Sequence, residues 1–320
     1  MTGDGMTGDG IAGNGGGGNG ARGTVAITGA SGYLGGVIRR RLKADGWDTV
    51  DLVRTVRDDA SRRYVIAEVP TADLLDGVDV LIHCAYDMTL RDRGEIWRVN
   101  VDGTRMLLDA AERSGVGHIV VLSSMSAYEG TEQLYGLSKL DIERDTALVG
   151  AIAVRPGLVY GPTAGGMAGS LGKLTALPVV PVVAARAHQF TVHEDDFADA
   201  IAALVAAGPR STVDGPIGIA NPEPVPFRKV IEGLARMHDN HCRTVAVDWR
   251  LVYAGLRLAE RLPVALPFRA DSLLGLARPA PSVPNLAVLD ALGIALRRFE
   301  QPVPPLSGGQ AAGHGSGSPV

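Results

Sequence analysis

The stretch from Thr24 to Gly35 constrains this chain most. A β-branched run, Thr24 to Thr28, leads into the glycine-spaced turn Thr28-Gly-Ala-Ser-Gly32-Tyr-Leu-Gly35, and an apolar period of Leu34, Val37, Ile38 and Leu42 follows at once. That order reads as strand, turn and helix. Asp48 to Val53 supplies a second strand, so the opening unit is βαβ with its glycine loop at the first crossover. Missing side chains at Gly29, Gly32 and Gly35 let a backbone approach a pyrophosphate, while the helix start offers N–H groups and its positive end. A purely structural turn would need glycine as well.

Further strands are readable at Tyr64 to Ala67, Val80 to Cys84, His118 to Ser123, Ala151 to Arg155 and near Pro216 to Ala220. Helical periods fall at Trp97 to Arg113, Tyr135 to Leu148 and Asp195 to Ala206. Alternating strands and helices predict an α/β fold, a doubly wound parallel sheet with its ligand crevice at the carboxyl ends of the strands. Residues 23–162, with later elements from 189–220, are expected to form this core. Residues 163–188 and 221–300 read as a small, mostly helical, substrate-facing lobe, with helices at Phe227 to Met237, Leu251 to Arg261 and Leu286 to Arg298. The glycine-rich residues 1–22 and the tail 301–320 hold too little apolar surface to pack and are expected to be disordered.

Composition narrows the function classes. A net charge of −4 and no long basic run give no footprint for nucleic acid or an anionic membrane, and no apolar stretch reaches the length of a membrane span. Two distant cysteines, Cys84 and Cys242, indicate neither a disulfide framework nor a zinc site, which fits a reduced cytoplasmic compartment.

Tyr135-Gly-Leu-Ser-Lys139 stands downstream of the glycine turn. Residues four apart share a helix face, so the ammonium of Lys139 is expected to favour the phenolate of Tyr135 and make it a proton donor and acceptor near neutral pH. The plain alternative is an exposed pair on a helix surface.

With these two motifs go Asp79-Val-Leu-Ile-His83-Cys-Ala85, Val99-Asn100-Val-Asp-Gly103-Thr104, Leu122-Ser-Ser124-Met-Ser-Ala-Tyr128, Arg155-Pro156-Gly-Leu-Val-Tyr160-Gly161-Pro162 and Phe190-Thr-Val-His193-Glu-Asp-Asp196. In these seven ordered segments, from Gly23 to Ala220, the chain resembles the short-chain dehydrogenase/reductase superfamily, in its extended or atypical epimerase/dehydratase-like branch. The resemblance implies a catalytic set of Ser124, Tyr135 and Lys139, with Ser124 holding the reacting oxygen and Lys139 also bonding the nicotinamide ribose. Ser123 and Ser126 compete with Ser124 for that place. It also implies a cofactor site of Thr28, Gly29, Ser31, Gly32, Tyr33, Leu34, Gly35, Arg54, Cys84, Ala85, Asn100, Tyr135, Lys139, Pro156 and Gly157. His83 reads as a satisfied strand histidine with no proton-transfer role. A homodimer built on the helices at Trp97 and Tyr135 is a family-level expectation.

Cofactor choice turns on the end of the second strand, where an acid would bond the adenine ribose. Val53 and Arg54 stand there, and Arg54 with Arg57 suits a 2′-phosphate, so NADP(H) is expected over NAD(H). The leading reading is hydride transfer between nicotinamide and a secondary alcohol or carbonyl on a small molecule, an apolar one if the Leu177 to Ala185 segment faces it. A redox-neutral nucleotide-sugar epimerase or dehydratase that retains NAD is the alternative. Against it, Thr163 to Ser170 lacks the asparagine, and His188-Gln189 the basic residue, usual in such proteins. A non-catalytic NAD(P)-sensing scaffold is a third reading.

Overall fold

The computed structural model describes residues 22–209, 214–259 and 270–300. The expected disordered ends, and the last two residues of the helix expected at Leu251 to Arg261, lie outside them. In chain order the elements are β1 (Thr24–Thr28), α1 (Tyr33–Ala44), β2 (Asp48–Val53), β3 (Ser61–Arg63), β4 (Val80–His83), α2 (Arg93–Ile96), a π-helical turn (Trp97–Val101), α3 (Asp102–Arg113), β5 (His118–Leu122), α4 (Leu134–Leu148), β6 (Ile152–Pro156) and β7 (Leu158–Tyr160). Then follow α5 (Gly166–Leu174), β8 (Val179–Val183), β9 (His188–Gln189), β10 (Thr191–His193), α6 (Glu194–Ala207), β11 (Ile217–Ile219), β12 (Val225–Pro226), α7 (Phe227–Met237), β13 (Arg243–Val247), α8 (Trp249–Ala259), α9 (Ala270–Ala277) and α10 (Ala287–Ala291).

Seven strands pair in the order β11-β6-β5-β4-β1-β2-β3, every ladder parallel. The order reverses between β1 and β4, where Thr28 stands in register with His83. In a doubly wound sheet a ligand crevice opens at such a point. Side chains alternate between two buried layers. Val25 and Ile27 of β1 join Ile38, Leu42, Phe197 and Ile201 on one face, while Ala26 joins Leu107, Leu108 and Ile142 on the other. Each fully buried side chain of this kind contributes about 1.5–3 kcal/mol.

A third cluster, with Tyr160, Leu171, Val182, Phe227, Val230 and Leu234, forms the lobe. The segment after residue 280 does not stay with it. Leu286, Leu289, Leu292, Ile294 and Leu296 pack on the first core layer, and Asn221 Nδ2 donates to the Leu296 carbonyl at 2.9 Å. The helix expected over Leu286 to Arg298 shortens to α10, because Gly293 turns left-handed at φ +72° and the chain continues without regular structure. The strand expected at Tyr64 to Ala67 lies three residues earlier, as β3, with Ala67 held at φ +70°. No described helix is long and apolar enough to cross a membrane.

Candidate active site

β1 delivers the glycine turn to the switch point. Gly29 sits at φ +65°, and a Cβ at Gly35 would stand 2.3 Å from the Gly29 carbonyl oxygen, so α1 packs directly on the turn that precedes it. Gly32 caps α1 without a side chain, and the first turn of the helix carries no acid. The first turn of α1 therefore adds no negative charge of its own to its free N–H groups, which fits an anionic pyrophosphate.

Behind this turn runs a buried hydrogen-bond chain whose direction can be worked out. The hydroxyl oxygen of Thr28 accepts the N–H groups of Cys84 and Ala85, both at 3.0 Å, so its hydrogen points to His83 Nδ1 at 2.8 Å. His83 then carries its proton on Nε2 and donates to Thr104 Oγ1 at 2.9 Å, and Thr104 donates to the Asn100 carbonyl at 2.6 Å. Burial, aided by Lys139, pushes the His83 pKa down to about 3. The neutral tautomer fits the structural part read from the sequence. Asn100 lies in the π-helical turn, and its side chain accepts the Asp87 N–H at 2.7 Å and donates to the Asp87 carbonyl at 3.3 Å.

The residues expected to react come together where β5 and α4 approach. Ser124 follows β5, accepts the Ser126 N–H at 3.1 Å and lies close enough to the Tyr135 hydroxyl to lower its pKa. Its rival Ser123 donates to Glu143, whose carboxylate also receives both arms of Arg155 at 2.7 and 2.6 Å. Ser123 is thereby bonded into the buried frame and Ser124 lies beside the tyrosine hydroxyl, although Ser123 and Ser126, and not Ser124, are the serines that line the cavity between these elements. Burial raises the Tyr135 pKa, and the Ser124 hydroxyl is what pulls it back. Lys139 Nζ donates to the Leu122 carbonyl at 2.6 Å and lies 4.6 Å from the Tyr86 ring centre, against 5.9 Å for Tyr135. Desolvation and Ser124 thus set the Tyr135 pKa, not the lowering by Lys139 expected from the four-residue spacing, and desolvation brings the lysine itself down to about 8.

A cavity of about 490 Å³ joins these parts. One end is lined by Gly29, Gly32, Tyr33, Leu34, Gly35 and Cys84, the middle by Tyr135, Pro156 and Gly157, and the other end by Met88, Met125, Tyr128, Met167, Phe190 and Leu276. Gly157 is required there, since a Cβ would stand 2.5 Å from the Phe190 carbonyl oxygen. Tyr33 donates to the buried Glu194 at 2.7 Å, which also accepts the N–H and hydroxyl of Thr163, so the glycine turn and the loop before α5 share one carboxylate. The lobe is tied down by single bonds. Asp271 accepts the Leu134 N–H at 2.8 Å, Gln189 donates to the Leu276 carbonyl at 3.1 Å, and Tyr128 donates to the Arg278 carbonyl at 2.7 Å.

Several residues expected in the cofactor site stand back from the cavity. Thr28 and Asn100 are fully buried and bond to backbone, and Ala85 is held by Thr28, so all three shape the site from behind. Ser31 is exposed on the turn and Arg54 is exposed just past β2. Sequence reasoning missed Tyr86, the Tyr33–Glu194–Thr163 cradle, the methionines and Asp271. Tyr86 was readable as an aromatic two residues after Cys84; the others come together only through tertiary structure. Among the described residues no cluster of metal-binding side chains occurs.

Residues 25–213 match the model of the NAD-dependent epimerase/dehydratase family, more than half of the chain. A ceramide reductase of Caulobacter vibrioides is 36% identical over 196 residues, 58% of this chain and 61% of that protein. Sterol demethylase protein B of Methylococcus capsulatus is 37% identical over 115 residues, 32% of this chain and 35% of that protein. The chain therefore matches less than two thirds of the length of either relative. Among solved structures, MoeE5 in complex with UDP-glucuronic acid and NAD superposes with a TM-score of 0.66 at 20% identity, over 86% of this chain and 94% of that one. It shares the Rossmann-type fold found here. The chain belongs to the NAD-dependent epimerase/dehydratase family.

Proposed function

We propose that this protein is an NAD(P)-dependent oxidoreductase that interconverts a secondary alcohol and a ketone on a largely apolar small molecule. One observation carries the reading: Tyr135, with Ser124 beside its hydroxyl and Lys139 one helical turn on behind it, lines a cavity whose one end is the glycine turn and whose other end is methionine and aromatic surface. A bound nicotinamide would supply or accept hydride. Tyr135 gives its proton to the substrate oxygen in reduction and takes it back in oxidation, while Ser124 holds that oxygen and Lys139 favours the phenolate that results. Met88, Met125 and Met167 offer adaptable apolar contact. Arg278 is the sole Lys or Arg side chain among the described residues lining the cavity, and it is paired with Glu132 at 2.5 Å. That gives little with which to bind the diphosphate of a nucleotide sugar.

NADP(H) is the preferred cofactor in this reading. Arg54 and Arg57 are exposed beyond β2, and Asp51, the acid nearer the carboxyl end of that strand, is paired with Arg39. Arg54→Asp should weaken NADPH binding far more than NADH binding; equal effects on both remove the preference. The test of the reaction is Tyr135→Phe, assayed by NADPH oxidation with a panel of apolar ketones. Turnover should fall by about a hundred- to ten-thousand-fold with cofactor affinity nearly intact, and a fully active variant would refute the assignment.

A further inference from the structure

We propose that Tyr86 is a positioning residue for the Tyr135–Lys139 pair, its ring face keeping Lys139 charged and its hydroxyl fixing the first turn of α4. The inference rests on the oxidoreductase reading for its consequence in turnover, though not for its geometry. Three contacts carry it. Lys139 Nζ lies 4.6 Å from the Tyr86 ring centre, within reach of the negative face of the π system. The Tyr86 and Tyr135 rings meet edge to face, with centres 5.1 Å apart and planes at 85°. Tyr86 and Ser138 hydroxyls are 2.8 Å apart, and Ser138 donates its hydrogen to the Tyr135 carbonyl at 2.9 Å, so Tyr86 is the donor to Ser138.

The surroundings make the ring face matter. Lys139 is buried, and its hydrogen-bond partner is the neutral Leu122 carbonyl. Other groups that bear on it are Cys84 and His83 of the β4 end, Tyr135, and Glu143 one turn along α4. His83 is neutral, the Cys84 thiol is pushed up to about 12 by burial, and Glu143 is bound by Arg155 and Ser123. None of these presents an unshared negative charge to the ammonium. A lysine poised near 8 then titrates within the working range, and a cation–π contact out of water is large enough to move it by about one unit.

The experiment compares Tyr86→Leu with Tyr86→Phe. The chain has four lysines (43, 139, 173 and 229), so the 13Cε resonance of Lys139 can be assigned in lysine-labelled protein and titrated. Tyr86→Leu should lower its pKa by about one unit and Tyr86→Phe should leave it in place. In the ketone assay Tyr86→Leu should lose roughly fivefold in kcat near pH 8 and recover towards wild type near pH 6, where the lysine is charged in both proteins. A deficit that persists at pH 6 marks general structural damage and overturns the proposal, as does an unshifted Lys139 in Tyr86→Leu or a Phe variant that behaves like Leu. Should the Leu variant not fold, replacing the phenylalanine of Tyr86→Phe by its trifluorinated analogue weakens the ring face at constant shape; an unchanged titration again overturns it. A protein that turns over no ketone removes the reaction reading, yet the titration still decides the part played by Tyr86.

Discussion

The floor of the cavity and its outer wall are held in different ways. On the floor, the turn, the β4 end and the π-helical turn are joined by a directed chain of buried hydrogen bonds, and the β5 end is locked to α4 and β6 through Ser123, Glu143 and Arg155. The outer wall, α9 with the residues after it, meets the core through single bonds at Asp271, Gln189 and Tyr128 and through an exposed Arg278–Glu132 pair. Low-dielectric networks fix geometry tightly, whereas exposed pairs contribute little. In the function proposed above, chemistry would need the first arrangement and substrate choice would tolerate the second.

The sharpest way to break this contrast is to remove one arginine from each half. Arg155→Ala leaves the buried Glu143 without its partner and should cost about 3–5 kcal/mol in urea unfolding, whereas Arg278→Ala, in a half-exposed pair, should cost no more than about 1 kcal/mol. Similar losses would end the distinction. Glycines offer a second pair. A Cβ at Gly35 meets backbone at 2.3 Å, and Gly35→Ala should weaken NADPH binding by about ten- to a hundredfold in a fluorescence titration. A Cβ at Gly275 meets the Gln133 side-chain amide at 2.4 Å, which can swing aside, so Gly275→Ala should change that affinity by no more than about twofold.

The smallest effect is a slope. His83 keeps its proton off in the folded protein down to about pH 3, while the unfolded chain takes one up near 6.5. Between those values the unfolded state binds more protons, so stability is complete above about 6.5 and falls as the pH drops. Urea midpoints taken from pH 6.5 to 4.5 should fall more steeply for the wild type than for His83→Gln, by at most about 1.4 kcal/mol per pH unit. Parallel slopes would mean that the histidine is already protonated in the fold.

What was legible in the sequence followed from local rules. The βαβ start, α4 with its Tyr135–Lys139 face, α6 and α7 declare themselves by period and by glycine. Local sequence left Ser123, Ser124 and Ser126 as competitors, because the bond that engages Ser123 is made to Glu143, twenty residues further along. Nor could the four-residue spacing give the pKa of Tyr135, since burial among surrounding elements and Ser124 set it rather than Lys139. α4 has no cap of its own; the N–H of Leu134 is met by Asp271, 137 residues away, and no capping signature near Gln133 could announce that. Residues 286–298 looked helical by composition, yet only Ala287–Ala291 form a helix, and past the left-handed Gly293 the chain runs without regular structure against the first core layer.

That path bears on how such a protein could be re-engineered. After β7 the chain enters the lobe, returns for β10 to β11, leaves again through α7 to α9, and comes back along residues 286–296 before Phe299 closes over Tyr160 at 4.8 Å. The outer wall of the cavity is woven through the half that carries the glycine turn rather than hung from one hinge. A chimera with a new specificity would need two cassettes, roughly residues 161–189 and 222–282, spliced between retained flanks, and a simple C-terminal swap would strip the core of part of its own cover.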